Sequence, residues 1–84
     1  MAIVSVLTSN TSLLTAENRS KIFLDNRGSN TIWCIFDATA ALNTGFPLDT
    51  GQSMVIEVNE NDINGTLNAI AETGATNLSV YSLG

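Results

Sequence analysis

Short runs of alternating apolar and polar residues, each ending at a turn, constrain this chain more than any other feature of its sequence. Residues 20–26 show the pattern clearly, because Ile22 and Leu24 fall on one face of an extended chain and polar or aromatic residues on the other. The runs recur at regular spacing, and no segment carries a convincing helical period. We therefore predict an all-β fold, a small antiparallel β-sandwich or jelly roll of about six to eight short strands with an extended N-terminal arm.

A turn near the middle of the chain separates the earlier strands from the later ones. Gly45 and Gly51 are predicted to be turn residues on either side of it. Pro47 has no N–H group to donate to a ladder, so we predict that it lies away from the centre of a sheet. Residues 26–30 are predicted to form an earlier turn, in which Gly28 can take a positive φ.

The run from residue 31 to residue 37 is apolar on both of its faces. One face carries Ile32 and Cys34, and the other carries Trp33 and Ile35. The outer face of a strand in a small antiparallel sandwich is normally polar. We therefore expect the arm or a partner chain to cover Trp33 and Ile35, and we expect the protein to form an oligomer. The predicted oligomer interface comprises Trp33, Ile35, Phe46 and Tyr81.

The first part of the chain differs in character from the rest. Residues 1–18 are predicted to form the N-terminal arm, and residues 19–84 the β-sandwich domain. The arm has an apolar tip on a polar tether, so the tip could pair with its own sheet, with a neighbouring subunit or with another protein. The three basic residues of the chain follow closely, either as solvated charges or as a contact patch for an acidic partner. The predicted contact residues are Ile3, Val4, Val6 and Leu7 in the arm, and Arg19, Lys21 and Arg27 in the basic cluster.

The composition favours association with proteins over binding of nucleic acid. Of the 84 residues, 44% are hydrophobic and only 13% are charged. A domain of this size buries only about 60–65% of the surface of its unfolded chain, which leaves apolar surface for a partner. The net charge of −5 includes only 3 basic residues, too few to neutralise many phosphates. The apolar run at the N-terminus is too short for a signal peptide or a membrane span, so we expect no membrane partner.

The residue types on which common catalytic sites depend are scarce in this chain. Histidine is absent, which removes Ser-His and Cys-His pairs and the usual zinc sites. The single cysteine, Cys34, can form no intramolecular disulfide and is predicted to be a buried, unreactive residue. We therefore expect no enzymatic activity, no cofactor and no metal site.

An acidic loop at residues 60–65 partly matches a calcium-binding loop. Glu60, Asp62 and Asn64 have the spacing of the first ligands of such a loop. The closing bidentate glutamate is missing, because Ala71 stands at its position. A polar turn is therefore favoured over an ion site.

Aromatic side chains leave open a role in carbohydrate binding. Trp33, Phe36 and Phe46 could form a platform on which sugar rings stack. In a sandwich of this size, such rings belong more often to the core or to a subunit interface, and this is the favoured interpretation.

The order of strands and turns over residues 19–82 resembles a group of short structural proteins of tailed bacteriophages. The resemblance implies a virion protein without enzymatic activity, namely a capsid decoration or cement protein that forms a homotrimer. The residues that carry it are Arg19 to Asn26, Gly28 to Trp33, Phe36, Gly45 to Leu48, Thr50 to Ser53, Asn68 to Gly74 and Leu78 to Val80.

On this resemblance, the protein is made in the host cytoplasm and binds the outer capsid surface where copies of the major capsid protein meet. The basic cluster would face the capsid. The arm lies outside the region of resemblance, which therefore assigns no function to it. The alternative is a carbohydrate-binding module of a phage head fibre or tail appendage. A third possibility is an intracellular assembly or regulatory module.

Overall fold

Eight strands, paired antiparallel, form two four-stranded sheets in the computed structural model of the chain. The structure describes residues 2–16, 20–57 and 65–83. The all-β class and the β-sandwich are confirmed. Among the described residues, no helix has the length and hydropathy needed to cross a membrane. The strands are β1 (Ala2–Val6), β2 (Thr11–Leu14), β3 (Lys21–Asn26), β4 (Ile32–Phe36), β5 (Phe46–Leu48), β6 (Ser53–Glu57), β7 (Leu67–Ala71) and β8 (Thr76–Leu83).

The strands pair in a nested order. The first sheet has the order β1-β8-β3-β6, and the second has the order β2-β7-β4-β5. As a result β1 pairs with β8, β2 with β7, β3 with β6 and β4 with β5. The connection from β4 to β5 stays within one sheet, and every other connection between consecutive strands passes from one sheet to the other. The chain therefore runs as one long hairpin whose tip is the β4–β5 loop.

One hydrophobic cluster fills the space between the sheets. In β3 the predicted inward residues, Ile22 and Leu24, are buried, and Leu67 and Ala69 in β7 join the same cluster from the second sheet. Complete burial of an aliphatic side chain of this kind contributes about 1.5–3 kcal/mol. The clean alternation in β3 and β7 is thus what joins the two layers.

The predicted N-terminal arm is not confirmed, because its described part, residues 2–16, lies within the sandwich. β1 pairs along its whole length with β8 and forms one edge of the first sheet. Val6, predicted as a contact residue of the arm, has 0% exposure and belongs to the core. Of the three pairings that the sequence left open for the apolar tip, the structure shows the pairing with a sheet of its own chain.

The segment predicted as a polar tether contains a second edge strand, β2. Its pairing with β7 shifts register between Ser12 and Leu14. Such an irregularity interrupts the alternation of apolar and polar residues that marks a strand in a sequence. Leu13 and Leu14 pack against the core, although they are adjacent in the chain.

The glycines of the predicted central turn have positive φ values, whereas Gly28 in the earlier turn does not. Gly45 and Gly51 have φ values of 88° and 79°, in the region that favours glycine. Pro47 lies in β5, at the edge of the second sheet, as its missing N–H requires. The φ of Gly28 is not positive; a side chain there would instead collide with Thr76. Close packing, rather than backbone freedom, therefore demands glycine at this position.

We expect Gly28→Ala to lower the free energy of unfolding by about 1–3 kcal/mol, because the added methyl group would overlap the Thr76 side chain. Thr76→Ala alone should cost little, since the buried Thr76 hydroxyl has no hydrogen-bond partner among the described residues. The double variant should recover part of the loss. Urea unfolding of the four proteins measures the coupling, and strictly additive losses would contradict the steric contact.

Candidate interaction surfaces

The outer face of the second sheet is apolar and crosses three strands. Trp33 on β4 lies opposite Ile70 on β7 and Pro47 on β5. Ile35, two residues further along β4, points to the same side. We call these four residues the Trp33 face. None of them is charged, and none belongs to the buried cluster between the sheets.

The Trp33 side chain makes a hydrogen bond at the border of this face, and no strand of the described residues lies across it. Its indole Nε1 donates a hydrogen bond to Oε2 of Glu72 at 2.9 Å. Trp33 and Ile35 are half-buried. The predicted cover by an N-terminal arm is not observed, since β2 extends the sheet beside β7 instead of lying across β4. Cover by a partner chain stays a prediction.

The outer face of the first sheet has an aromatic centre. Phe23 on β3 lies opposite Val55 on β6 and Tyr81 on β8. The rings of Phe23 and Tyr81 have centroids 5.7 Å apart and an interplanar angle of 41°. Val55 is 57% exposed and Tyr81 is 40% exposed. We call the outward side of this sheet, centred on these three residues, the Phe23 face.

Charged side chains border this aromatic centre. Nζ of Lys21 lies 5.5 Å from the centroid of the Phe23 ring, within the range of a cation–π interaction. The same ammonium group is 2.6 Å from a carboxylate oxygen of Glu57. On the other side of Phe23 along β3, Asp25 accepts a hydrogen bond from Nε of Arg27 at 2.6 Å.

The four residues predicted as one oligomer interface do not share a surface. Trp33 and Ile35 lie on the Trp33 face, whereas Tyr81 lies on the Phe23 face at the opposite side of the sandwich. Phe46 packs towards the core, with its ring centroid 6.1 Å from that of Phe36. The sequence could not show this separation, because it does not show which sheet a strand joins. The register places Phe46 opposite buried Cys34.

The predicted contact residues of the arm are also divided. Val6 lies in the core and Val4 packs against it, so neither can form a contact surface. Ile3 and Leu7 are 69% and 49% exposed and stay available to a partner. Successive side chains of an extended chain point to opposite faces, so Val4 and Val6 point to the core whereas Ile3 and Leu7 point outwards.

The predicted basic cluster does not form one patch from its described members. Lys21 and Arg27 lie at opposite ends of β3, about 20 Å apart at the rise of an extended chain. Each is paired with a carboxylate, Lys21 with Glu57 and Arg27 with Asp25. The hydrogen bond and charge of Asp25 raise the pKa of Arg27. Arg19, the third member, lies outside the described residues.

The one cysteine is a core residue, as predicted. Cys34 has 0% exposure, and burial raises the pKa of its thiol to about 12. The thiol therefore stays protonated near neutral pH, which is the unreactive form.

Among the described ranges, no group of three or more His, Cys, Asp or Glu side chains is placed to hold a metal ion. Residues 60–64 of the predicted acidic loop lie outside the described part of the chain.

Several residues of the phage-like pattern meet in a hydrogen-bond network at one end of the sandwich. Nδ2 of Asn26 donates to the carbonyl oxygens of Asn30 and Leu48, each at 2.8 Å. Its Oδ1 accepts from the backbone N–H of Gly28 at 3.1 Å. The backbone carbonyl of Asn26 accepts from the N–H of Gly51 at 2.8 Å. We call these contacts the Asn26 network. The sequence pattern did not predict them.

No protein-family model, curated protein or solved structure matches this chain. The resemblance to phage structural proteins therefore depends on the sequence pattern. The Asn26 network gives part of that pattern a structural meaning, because Asn26, Gly28, Leu48 and Gly51 contact one another through it.

We expect Asn26→Ala to lower the free energy of unfolding by about 2–4 kcal/mol, because it leaves buried backbone groups without partners. Asn77→Ala is a matched control, since Asn77 is exposed, and it should change stability by less than about 0.5 kcal/mol. Urea midpoints measure both effects. Equal effects of the two substitutions would show that the Asn26 network does not stabilise the fold.

Proposed function

We propose that this chain is a non-enzymatic structural protein of a virion, which binds the outer capsid surface as an oligomer and joins neighbouring copies of the major capsid protein. The observation that carries the proposal is the presence of apolar residues on both outer sides of the sandwich, namely the Trp33 face and the central row of the Phe23 face. They lie on opposite sides of one sandwich. One copy can therefore contact two neighbours at the same time.

The chemistry of these faces suits adhesion between proteins. Burial of apolar surface is the main favourable term in most protein association, and it needs no reactive group. A protein that joins shell subunits needs this kind of contact area on more than one side. Two apolar faces of a thin two-layer domain provide it.

The nested strand pairing supports the same proposal. We interpret the pairing of β1 with β8, β2 with β7, β3 with β6 and β4 with β5 as that of a jelly roll. Double-sheet jelly rolls occur in viral capsid and lectin domains. A fold does not by itself assign a function, so this likeness adds to the argument from the two faces and does not replace it.

The Trp33 face is the proposed contact with the capsid. Its residues on β4, β5 and β7 are uncharged, and Trp33 is held by Glu72 in a fixed orientation. An aromatic side chain that is already ordered loses little conformational entropy on binding. Tryptophan is also among the residues that most often dominate the binding energy of an interface.

The alternative function, a carbohydrate-binding module, gains no support from the three rings on which it depended. Phe36 and Phe46 pack against the core, as the favoured interpretation predicted. Trp33 alone of the three lies on an outer face. The three rings therefore do not form the platform on which this alternative depends.

Capsid binding can be measured by cosedimentation with empty capsids assembled from the major capsid protein of the same genome. We expect the wild-type protein to sediment with them and Ile70→Asp to weaken binding about tenfold, because it places a charge in the Trp33 face. Leu42→Asp is the matched control, since Leu42 is 45% exposed in the β4–β5 loop. It should bind like the wild type.

The fold of each variant is checked by thermal unfolding, and Ile70→Ser provides a milder change at the same position. A wild-type protein that stays in the supernatant with capsids would contradict the proposal. Binding to an array of glycans under the same conditions would instead favour the carbohydrate alternative.

A further inference from the structure

We propose that the Phe23 face is a two-fold symmetric interface between two copies of this chain. The inference depends on the geometry and charge of the first sheet and not on the proposed role at a capsid. It also differs from the trimer that the phage resemblance implies, because a two-fold contact closes as a dimer.

The outward residues of the first sheet form rows across the strands. The central row is Tyr81, Phe23 and Val55, from β8, β3 and β6. In the row on one side, Lys21 lies between Leu83 and Glu57. In the row on the other side, Asp25 lies between Ser79 and Ser53, and Ile3 follows on β1.

A two-fold axis along the central row makes this surface complementary to itself. The aromatic row of one copy then lies on the same row of the second copy. Because Lys21 and Asp25 are each two residues from Phe23 on β3, rotation about the axis places Lys21 of one copy over Asp25 of the other, twice in the dimer. Sheets that pack face to face are about 10 Å apart, a distance that a lysine and an aspartate can bridge together.

The apolar residues at the margin fit the same arrangement. The rotation exchanges the Lys21 row with the Asp25 row, so Leu83 of one copy comes beside Ile3 of the other. Leu83 is 39% exposed and Ile3 is 69% exposed in the single chain. Both would lose contact with water in the dimer.

The balance of charge also favours a second copy on this face. The whole chain carries 8 acidic and 3 basic residues, so two copies repel each other in most orientations. On and beside the Phe23 face, Lys21 and Arg27 offset Asp25 and Glu57 through the ion pairs described above. Two copies can therefore approach each other at this face with little repulsion.

The area of the face sets the expected strength of the dimer. Four strands about 4.8 Å apart and rows about 6.8 Å apart give a face on the order of 300 Å². Two such faces bury on the order of 600 Å² in total, which is below the roughly 1,000 Å² of a stable interface and fits only a weak, transient contact. We expect a weak dimer, with a dissociation constant on the order of 10–100 μM.

Sedimentation equilibrium of the full chain from about 1 μM to about 1 mM should show a monomer–dimer equilibrium in this range. Val55→Asp should weaken it about tenfold or more, because the charge enters the apolar row. Leu42→Asp and Ile70→Asp should leave it unchanged, since both residues lie off this face. Thermal unfolding checks that the variants fold, and Val55→Ser gives a milder change. A protein that stays monomeric at the highest concentration, forms only trimers, or is unaffected by the Val55 variants would overturn the proposal.

Mixing two charge variants tests the orientation of the axis. Lys21→Glu and Asp25→Lys should each weaken self-association, because like charges then face each other across the axis. In an equimolar mixture, opposite charges face each other at both positions, so a heterodimer with about the wild-type affinity should form. Mass spectrometry under native conditions identifies it. A mixture that stays as monomeric as its components would overturn the two-fold arrangement, whatever the outcome of the capsid experiment.

Discussion

The buried amide of Asn26 is the interaction on which one whole end of the sandwich depends. It belongs to β3 in the first sheet, yet its side chain binds a backbone carbonyl at the end of β5 in the second sheet. The same residue also holds the turn that leads into β4 and the turn that leads into β6. A buried polar group stabilises a fold only when its partners are all in place. Asn26 therefore fixes the two sheets and two turns together.

The Asn26 network explains part of the sequence pattern in structural terms. The pattern residues Asn26, Gly28, Leu48 and Gly51 contact one another through it and hold one end of the domain together. The same pattern also includes Trp33, Pro47 and Ile70, which lie on an outer face. The pattern therefore includes both residues that stabilise the fold and residues that are placed to contact a partner.

Alternation was sufficient to predict β3 and its inward residues, because one face of this strand is buried and the period is regular. It was insufficient for β2, where a change of register brings Leu13 and Leu14 to the core side by side. The positions of the candidate interface residues could not be predicted, for a different reason. Whether Phe46 and Tyr81 lie near Trp33 depends on which strands pair, and nested pairing joins residues far apart in the chain.

The nested pairing also implies an order of assembly. The β4–β5 hairpin closes the shortest loop, and each later pair encloses the pairs already formed. Loop closure costs more conformational entropy as the loop lengthens, and non-local pairing slows folding. If strand pairs form in order from the hairpin tip outwards, the closure of one long loop is replaced by the closure of several short loops. The strands β1 and β8 are joined last on this route, after the core that they cover has been assembled.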